Sequence, residues 1–274
     1  MFRKAKKLIH LGDKVIGANN PILVQSMNNT KTSDIKGTLE QIYQMYDAGC
    51  DITRVAIPDM DSAIALKEIS KKSPIPVVAD IHFDYKLAIA SATYGASKIR
   101  INPGNIGGFD RVKEVANCCK ERNIPIRVGV NSGSIEKRLL EKHKGVCKEA
   151  MVESALSSVR MLEDANFDDI VISIKSSDVA LTIDTYRLLS EKCNYPLHVG
   201  VTEAGTLREG VIKSSVGIGT LLSEGIGDTI RVSLTGDCVD EVRTGVSILR
   251  SLGLRKGGIT FVSCPTCGRT RVPL

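Results

Sequence analysis

The chain has 274 residues, 42% of them apolar and 25% charged, with no Trp and a formal net charge of +6. That length holds a sizeable core in one large domain or two small ones, and it excludes a disulfide-stapled miniprotein; apolar clusters recurring at short intervals exclude a disordered chain. No apolar run approaches the ~18 residues of a membrane span, and the opening MFRKAKK is not followed by an apolar leader segment, so the expectation is a cytoplasmic protein whose eight cysteines are reduced thiols. The 37 Lys and Arg are spread along the chain against 31 Asp and Glu. A nucleic-acid surface is not favoured by that balance, whereas an anionic small substrate needs only a local cluster.

In chain order, residues 7–20 read as a small hairpin with a Gly12-Asp13 turn, expected to plug the bottom of a barrel. Beyond it, β-branched runs alternate with helix-period segments. A strand over 21–27 (PILVQSM) precedes a helix over 33–48. Strands over 52–58 (ITRVAIP), 76–82 (PVVADIH) and 97–103 (SKIRINP) precede helices over 59–71, 86–94 and 110–122. The second half repeats the scheme: strands over 125–131 (PIRVGVN), 169–176 (DIVISIKS), 197–203 (LHVGVTE) and 229–236 (TIRVSLTG), with helices over 149–165, 179–192, 207–224 and 239–252. Eight strand–helix units predict a (β/α)8 TIM barrel over 21–255. A doubly wound open sheet is the alternative.

Because strand side chains alternate between faces, one face of each predicted strand is apolar and packs under the helices. The other face points into the barrel. Arg54, Asp80 with His82, Arg100 with Asn102, Arg127 with Asn131, Lys175, His198, and Arg231 with Ser233 all fall on the inward face. Active sites of this fold sit at the C-terminal strand ends. Arg54, Arg100, Arg127, Lys175 and Arg231 therefore converge, with Asp80 the one well-placed inward acid and Glu203 at a strand end. Structural ion pairing accounts for one or two such cations; five would leave buried charge costing about several kcal/mol per ion. A phosphate-bearing ligand resolves the imbalance, since Arg forks match phosphate oxygens. The glycine-rich turn 103–108 could add backbone N–H groups. Glu203 is a candidate proton donor and His82 and His198 are candidate acid–base groups, with Asp80 orienting His82 or an arginine. Lys175 also suits a Schiff-base lyase acting on a phosphorylated carbonyl compound.

Cys264-Pro265-Thr266-Cys267 lies beyond the last helix. A CxxC in a tight turn aims two thiolates at one metal or cluster, but it is half a site. A redox dithiol and a zinc ion shared between two copies remain open. The other six cysteines read as small buried hydrophobes.

The segments around Thr53-Arg54-Val55-Ala56-Ile57-Pro58, Val78-Ala79-Asp80-Ile81-His82-Phe83, Lys98-Ile99-Arg100-Ile101-Asn102-Pro103-Gly104-Asn105, Arg127-Val128-Gly129-Val130-Asn131, His198-Val199-Gly200-Val201-Thr202-Glu203-Ala204-Gly205, Gly227-Asp228-Thr229-Ile230-Arg231-Val232-Ser233 and Cys264–Thr270 occur in order along the chain. In them it resembles the 4-hydroxy-3-methylbut-2-enyl-diphosphate synthases of the non-mevalonate isoprenoid pathway. The resemblance implies reductive opening of 2-C-methyl-D-erythritol 2,4-cyclodiphosphate with loss of water, using a [4Fe-4S] cluster fed by flavodoxin or ferredoxin in a homodimer. It implies that Arg54, Arg100, Asn102, Arg127, Asn131, Lys175, Arg231 and Ser233 line the cyclodiphosphate site, that Glu203 protonates the departing hydroxyl, and that Cys264 and Cys267 are two cluster ligands. In the family a further domain supplies a third cysteine and a glutamate ligand. Residues 256–274 match only its start, so this polypeptide by itself is expected to bind the cyclodiphosphate and to be weak or inactive as a reductase.

Overall fold

The computed structural model describes Arg3 and residues 5–259, 262–264, 267–269 and 271. Two antiparallel strands, β1 (Ile9–Leu11) and β2 (Lys14–Ile16), precede eight parallel ones: β3 (Leu23–Met27), β4 (Ile52–Ala56), β5 (Val77–Asp80), β6 (Lys98–Ile101), β7 (Ile126–Asn131), β8 (Ile170–Lys175), β9 (His198–Val199) and β10 (Thr229–Ile230). They hydrogen-bond in the order β8-β7-β6-β5-β4-β3-β10-β9, and a parallel bridge between Ile172 and Leu197 joins the two ends. This is a (β/α)8 barrel; an open doubly wound sheet would leave both edge strands unpaired.

The helices are α1 (Ile35–Asp47), α2 (Met60–Lys72), α3 (Tyr85–Thr93), α4 (Gly108–Glu121), α5 (Lys137–His143), α6 (Lys148–Asp164), α7 (Val179–Lys192), α8 (Leu207–Ser223) and α9 (Cys238–Ser251). Five start the same way. Asp34, Asp59, Asp84, Asp178 and Asp237 each accept a backbone N–H from the first turn of α1, α2, α3, α7 and α9, satisfying an orphan donor at the mouth of the barrel. Eight of these helices are those the periodicity predicts. The ninth, α5, lies in the β7–α6 connection and is too short for a periodic signal; Ile135 and Leu139 anchor it on the core. No helix among the described residues is long and apolar enough to cross a membrane.

Strands β9 and β10 are shorter than predicted. Beyond Val199 and Ile230 the chain keeps single bonds, Arg231 N–H to the Val199 carbonyl at 2.9 Å and Thr202 N–H to the Ser176 carbonyl at 3.1 Å. The Leu234 N–H is taken instead by the Glu241 carboxylate at 3.0 Å, so a side chain replaces the ladder there. Where β9 meets β8, the wholly buried Tyr186 of α7 holds the seam: its hydroxyl donates to the His198 carbonyl at 2.5 Å and accepts the Ile174 N–H at 3.1 Å.

The N-terminal hairpin turns at Gly12-Asp13, with Gly12 at φ +57°, where a glycine avoids the Cβ clash of the left-handed region. Ile9, Leu11 and Ile16 form a separate apolar cluster with Leu23, Ile52, Val78 and Val171, which lie at the N-terminal ends of β3, β4, β5 and β8. The hairpin therefore stoppers the end of the barrel opposite the strand C-termini. Arg3 pairs with Asp228 at 2.7 Å, and Lys6 donates to the Ser190 and Cys193 carbonyls, tying the leading segment to the same end. Of the segment expected to open a further domain, residues 260, 261, 265, 266, 270 and 272–274 lie outside the described residues.

Leu11 is fully buried in this cluster whereas Leu8 is 43% exposed. Urea denaturation of Leu11→Ala is expected to show a loss of about 2–5 kcal/mol, against about 0.5 kcal/mol or less for Leu8→Ala.

Candidate functional site

At the C-terminal end of the barrel a cavity of about 240 Å³ is enclosed by Met27, Arg54, Asp80, His82, Arg100, Arg127, Asn131, Ser173, Lys175, Thr202, Arg231 and Ser233. Each of the eight barrel strands, or the residues that extend it, contributes, because every strand presents its inward side chains at the same end. Larger open grooves of about 570 and 620 Å³ lie outside, one lined by residues of α6 and the α7–β9 turn and the other by α1 and α2 residues. They lack a convergent set of buried charges. The structure thus brings together nine of the residues singled out by strand parity: Arg54, Asp80, His82, Arg100, Arg127, Asn131, Lys175, Arg231 and Ser233.

Two glycines make room for the cations. A Cβ on Gly129 would stand 2.5 Å from Arg100 Nε, and one on Gly200 would collide with the Arg231 carbonyl and stand 2.9 Å from Lys175 Nζ. Arg100 and Lys175 occupy the space that side chains at these positions would fill.

Asp80 is the hub. Its carboxylate meets Arg100 Nη1 at 3.0 Å, Arg54 Nε at 3.6 Å and His82 Nε2 at 3.6 Å, while it is only 4% exposed. Burial by itself would raise this carboxyl. The charge of Arg54, the nearby His82 ring and the charges of Arg100 and Arg127 outweigh it and hold the group well below the usual carboxylate range. Arg54 also lays Nε and Nη2 against Met27 Sδ at 3.2 and 2.9 Å. Burial lowers its guanidinium to about 10, with Asp80 opposing and Arg231 and Arg100 adding to the fall; it is protonated at neutral pH. Burial, then Arg54 and Arg100, pull Arg127 well below its ordinary value.

A second acid, which strand parity does not reveal, comes from outside the barrel wall. Glu241 of α9, 4% exposed, accepts Arg231 Nη2 at 3.1 Å and Nε at 3.3 Å, together with the Ser26 hydroxyl at 2.7 Å. The signal for it was helical: Cys238, Glu241, Val242, Gly245 and Leu249 share the buried face of α9. Met27, Ser173 and Thr202 complete the wall without having been assigned roles.

Three sequence-derived candidates stand elsewhere. Asn102 is buried, but its Oδ1 accepts the Gly104 N–H at 3.2 Å, so its side chain holds the adjoining turn instead of lining the cavity. His198 is wholly buried behind Lys175, with Nε2 3.4 Å from Lys175 Nζ. Glu203 is exposed, off the cavity lining, at φ +51° in a turn: the chain has left the strand by that point, and Thr202 takes the inward position. Such a φ is uncommon for a non-glycine residue and marks a locally constrained backbone.

The polar accounting leaves gaps that face inward. Arg100 Nε, Arg127 Nε and Nη1, Lys98 Nζ and both polar atoms of Gln25 are buried without a hydrogen-bond partner. Five basic side chains thus line a cavity served by two buried carboxylates, and the most buried of them, Arg127, keeps two unpartnered donors. Cys264 and Cys267 are exposed, and among the described residues no group of three or more His, Cys, Asp or Glu side chains is placed to hold a metal ion.

Comparison with known proteins settles the ancestry. The family model of the GcpE TIM-barrel domain matches residues 6–246. The chain is 63% identical over 272 residues to 4-hydroxy-3-methylbut-2-en-1-yl diphosphate synthase (flavodoxin) of Ruminiclostridium cellulolyticum, covering 99% of this chain and 77% of that protein. It belongs to the 4-hydroxy-3-methylbut-2-en-1-yl diphosphate synthase family. The similarly named protein of Clostridium acetobutylicum is 60% identical over 274 residues, covering 100% of this chain and 78% of that one. Among solved structures, dihydropteroate synthase from Xanthomonas albilineans superimposes with a TM-score of 0.65 at 11% identity, covering 90% of this chain and 97% of that one. A DAHP synthase from Thermotoga maritima gives 0.63 at 15%, covering 91% and 75%. At these identities the likeness is one of fold.

Replacing the hub, Asp80→Asn, is expected to destabilise the synthase barrel by about 3–5 kcal/mol, because the arginines stay buried without their counter-charge; thermal or urea unfolding reads this. The Asp80 carboxyl is lower in the folded than in the unfolded chain, so its contribution is present at neutral pH and is lost progressively as pH falls below about 4. His198 adds to the acid sensitivity. Burial, then Arg127 and Lys175, push it well below its ordinary value, so the unfolded chain binds its proton first. Stability is expected to fall as pH drops through about 6.5, and His198→Gln is expected to flatten that part of the curve.

Proposed function

We propose that the cavity binds 2-C-methyl-D-erythritol 2,4-cyclodiphosphate and that the chain forms the substrate-binding barrel of the synthase reaction, in which that ring is opened reductively to 4-hydroxy-3-methylbut-2-enyl diphosphate and water. The observation that carries the reading is the excess of buried cations over buried carboxylates, with Arg100 Nε and Arg127 Nε and Nη1 left without partners. A ligand with two phosphoryl groups supplies the missing negative charge and a fan of acceptors suited to guanidinium forks.

In this reading Arg54, Arg100, Arg127, Lys175 and Arg231 grip the diphosphate, with Asn131 and Ser233 donating neutral hydrogen bonds. Asp80 holds Arg54, Arg100 and His82 in place, and Asn102 acts by fixing the turn beside them. The C–O bond that breaks leaves an oxygen needing a proton as negative charge develops; the cations around it stabilise that charge. Glu203, exposed beside the inward Thr202, is the proposed donor, and His82, open to solvent, lies 3.6 Å from the Asp80 carboxylate. An iron–sulfur cluster supplies two electrons when bound. Cys264 and Cys267 are proposed as two of its thiolate ligands; such a cluster takes about four protein ligands, and no group of three such donors is assembled among the described residues. Flavodoxin, named in the relatives, or ferredoxin is proposed as the electron donor, and a homodimer as the working form, both on the family resemblance.

Calorimetric titration with the cyclodiphosphate tests the cavity. Arg54→Ala and Arg231→Ala are each expected to weaken binding about tenfold to a hundredfold, in line with a lost charge-assisted hydrogen bond of about 1.5–3 kcal/mol. Unchanged affinity in both would place the site elsewhere. For the cysteines, anaerobic reconstitution with iron and sulfide is expected to load less iron in Cys264→Ser and Cys267→Ser than in the parent chain; equal loading would remove them as ligands.

A further inference from the structure

Behind Lys175 runs a short chain of contacts that reaches no ligand-facing surface. Lys175 ends β8 with its amine on the cavity wall, and Nζ lies 3.4 Å from His198 Nε2. On the other side of the ring, His198 Nδ1 is 2.7 Å from Thr229 Oγ1. His198 and Thr229 are both wholly buried and are register partners in the β9–β10 pair. Tyr186 of α7 fixes the His198 backbone through its carbonyl. The imidazole is therefore clamped between one fixed hydroxyl and one amine.

The electrostatic setting is one-sided. Lys175 is surrounded by Arg231 just beyond β10, Arg127 of β7 and Arg54 of β4, with Glu241 of α9 opposing them. His198 faces Arg127, Lys175, Lys98 of β6 and Arg54. Burial first, then these cations, hold the lysine amine and the imidazole well below their ordinary basicity. An anion in the cavity opposes this field and favours the protonated form of the amine.

A neutral imidazole suits either charge state of its neighbour, depending on which nitrogen carries the proton. With the proton on Nδ1, the ring donates to Thr229 Oγ1 and its Nε2 lone pair accepts from the Lys175 ammonium. With the proton on Nε2, the Thr229 hydroxyl donates to Nδ1 and Nε2–H donates to the lone pair of the neutral amine. Both arrangements leave no donor or acceptor of the ring unpaired, which matters in a wholly buried position. We propose that Thr229 and His198 are positioning residues that act through Lys175, switching tautomer so that its amine can change charge as an anionic ligand enters. The net change is one proton taken from solvent onto the Lys175–His198 pair. The inference rests on the reading of the cavity as a diphosphate site.

Titrating the cyclodiphosphate into wild type, Thr229→Val and Thr229→Ser across a pH series separates the two ideas. In wild type the affinity is expected to fall as rising pH strips the Lys175 proton. Thr229→Val removes the acceptor that favours Nδ1–H, so the midpoint of that fall is expected to move down by about one pH unit, about tenfold in affinity above it. Thr229→Ser, which keeps the hydroxyl, is expected to restore the wild-type profile. Nitrogen NMR of labelled histidine is expected to show His198 protonated on Nδ1 in the complex. A wild-type pH profile in Thr229→Val overturns the relay, as does the same His198 tautomer with and without ligand. Absence of binding by the wild type at every pH overturns the reading of the cavity and the relay with it.

Discussion

Like charges packed at the centre of a barrel repel one another, and burial weakens the screening that water gives them. Arg54, Arg100, Arg127, Lys175 and Arg231 share one small cavity with Asp80 inside it and Glu241 behind it. That repulsion is tolerated because the strands carrying the cations are held by an apolar shell on their outer faces, with Ile99, Ile101, Val128, Val130, Ile172 and Ile174 fully buried beneath the helices. The two faces of each strand thus do opposite work. One contributes hydrophobic stabilisation to the fold, and the other holds an unfavourable arrangement ready for a ligand that neutralises it.

The two carboxylates divide this work unequally. Asp80 sits among the cations and meets two of them, Arg54 and Arg100, together with His82, so it sets their spacing. Glu241 reaches one arginine from α9 and also takes the Ser26 hydroxyl and the Leu234 N–H. It therefore couples the outer helix layer to the cavity wall at the point where β10 leaves its ladder. Tyr186 has a comparable place on the other flank, between β8 and β9. At both places buried side chains stand in for continuous backbone pairing.

The alternation of β-branched runs with helix-period segments made the barrel legible, and strand parity made most of the cavity legible, since both derive from backbone geometry alone. Parity fails where the backbone leaves the strand. Glu203 has a left-handed φ and Asn102 is spent on its own turn, and no alternation rule anticipates either. His198 obeys parity but lies too deep; depth along the strand depends on the stagger of the ladder, which requires the pairing register. Glu241 belongs to another layer, so an inward-strand argument could not include it, although its place on the apolar face of a helix was visible. The short α5 carried too few turns to register as a period.

The hairpin at the other end has a consequence for traffic. With Ile9, Leu11 and Ile16 seated on the first residues of four strands, the barrel is a vessel with one mouth. Whatever enters along the axis must leave the way it came, past His82 and the open ring of Phe83, which is 71% exposed. Departure of one occupant and arrival of the next therefore exclude each other in time.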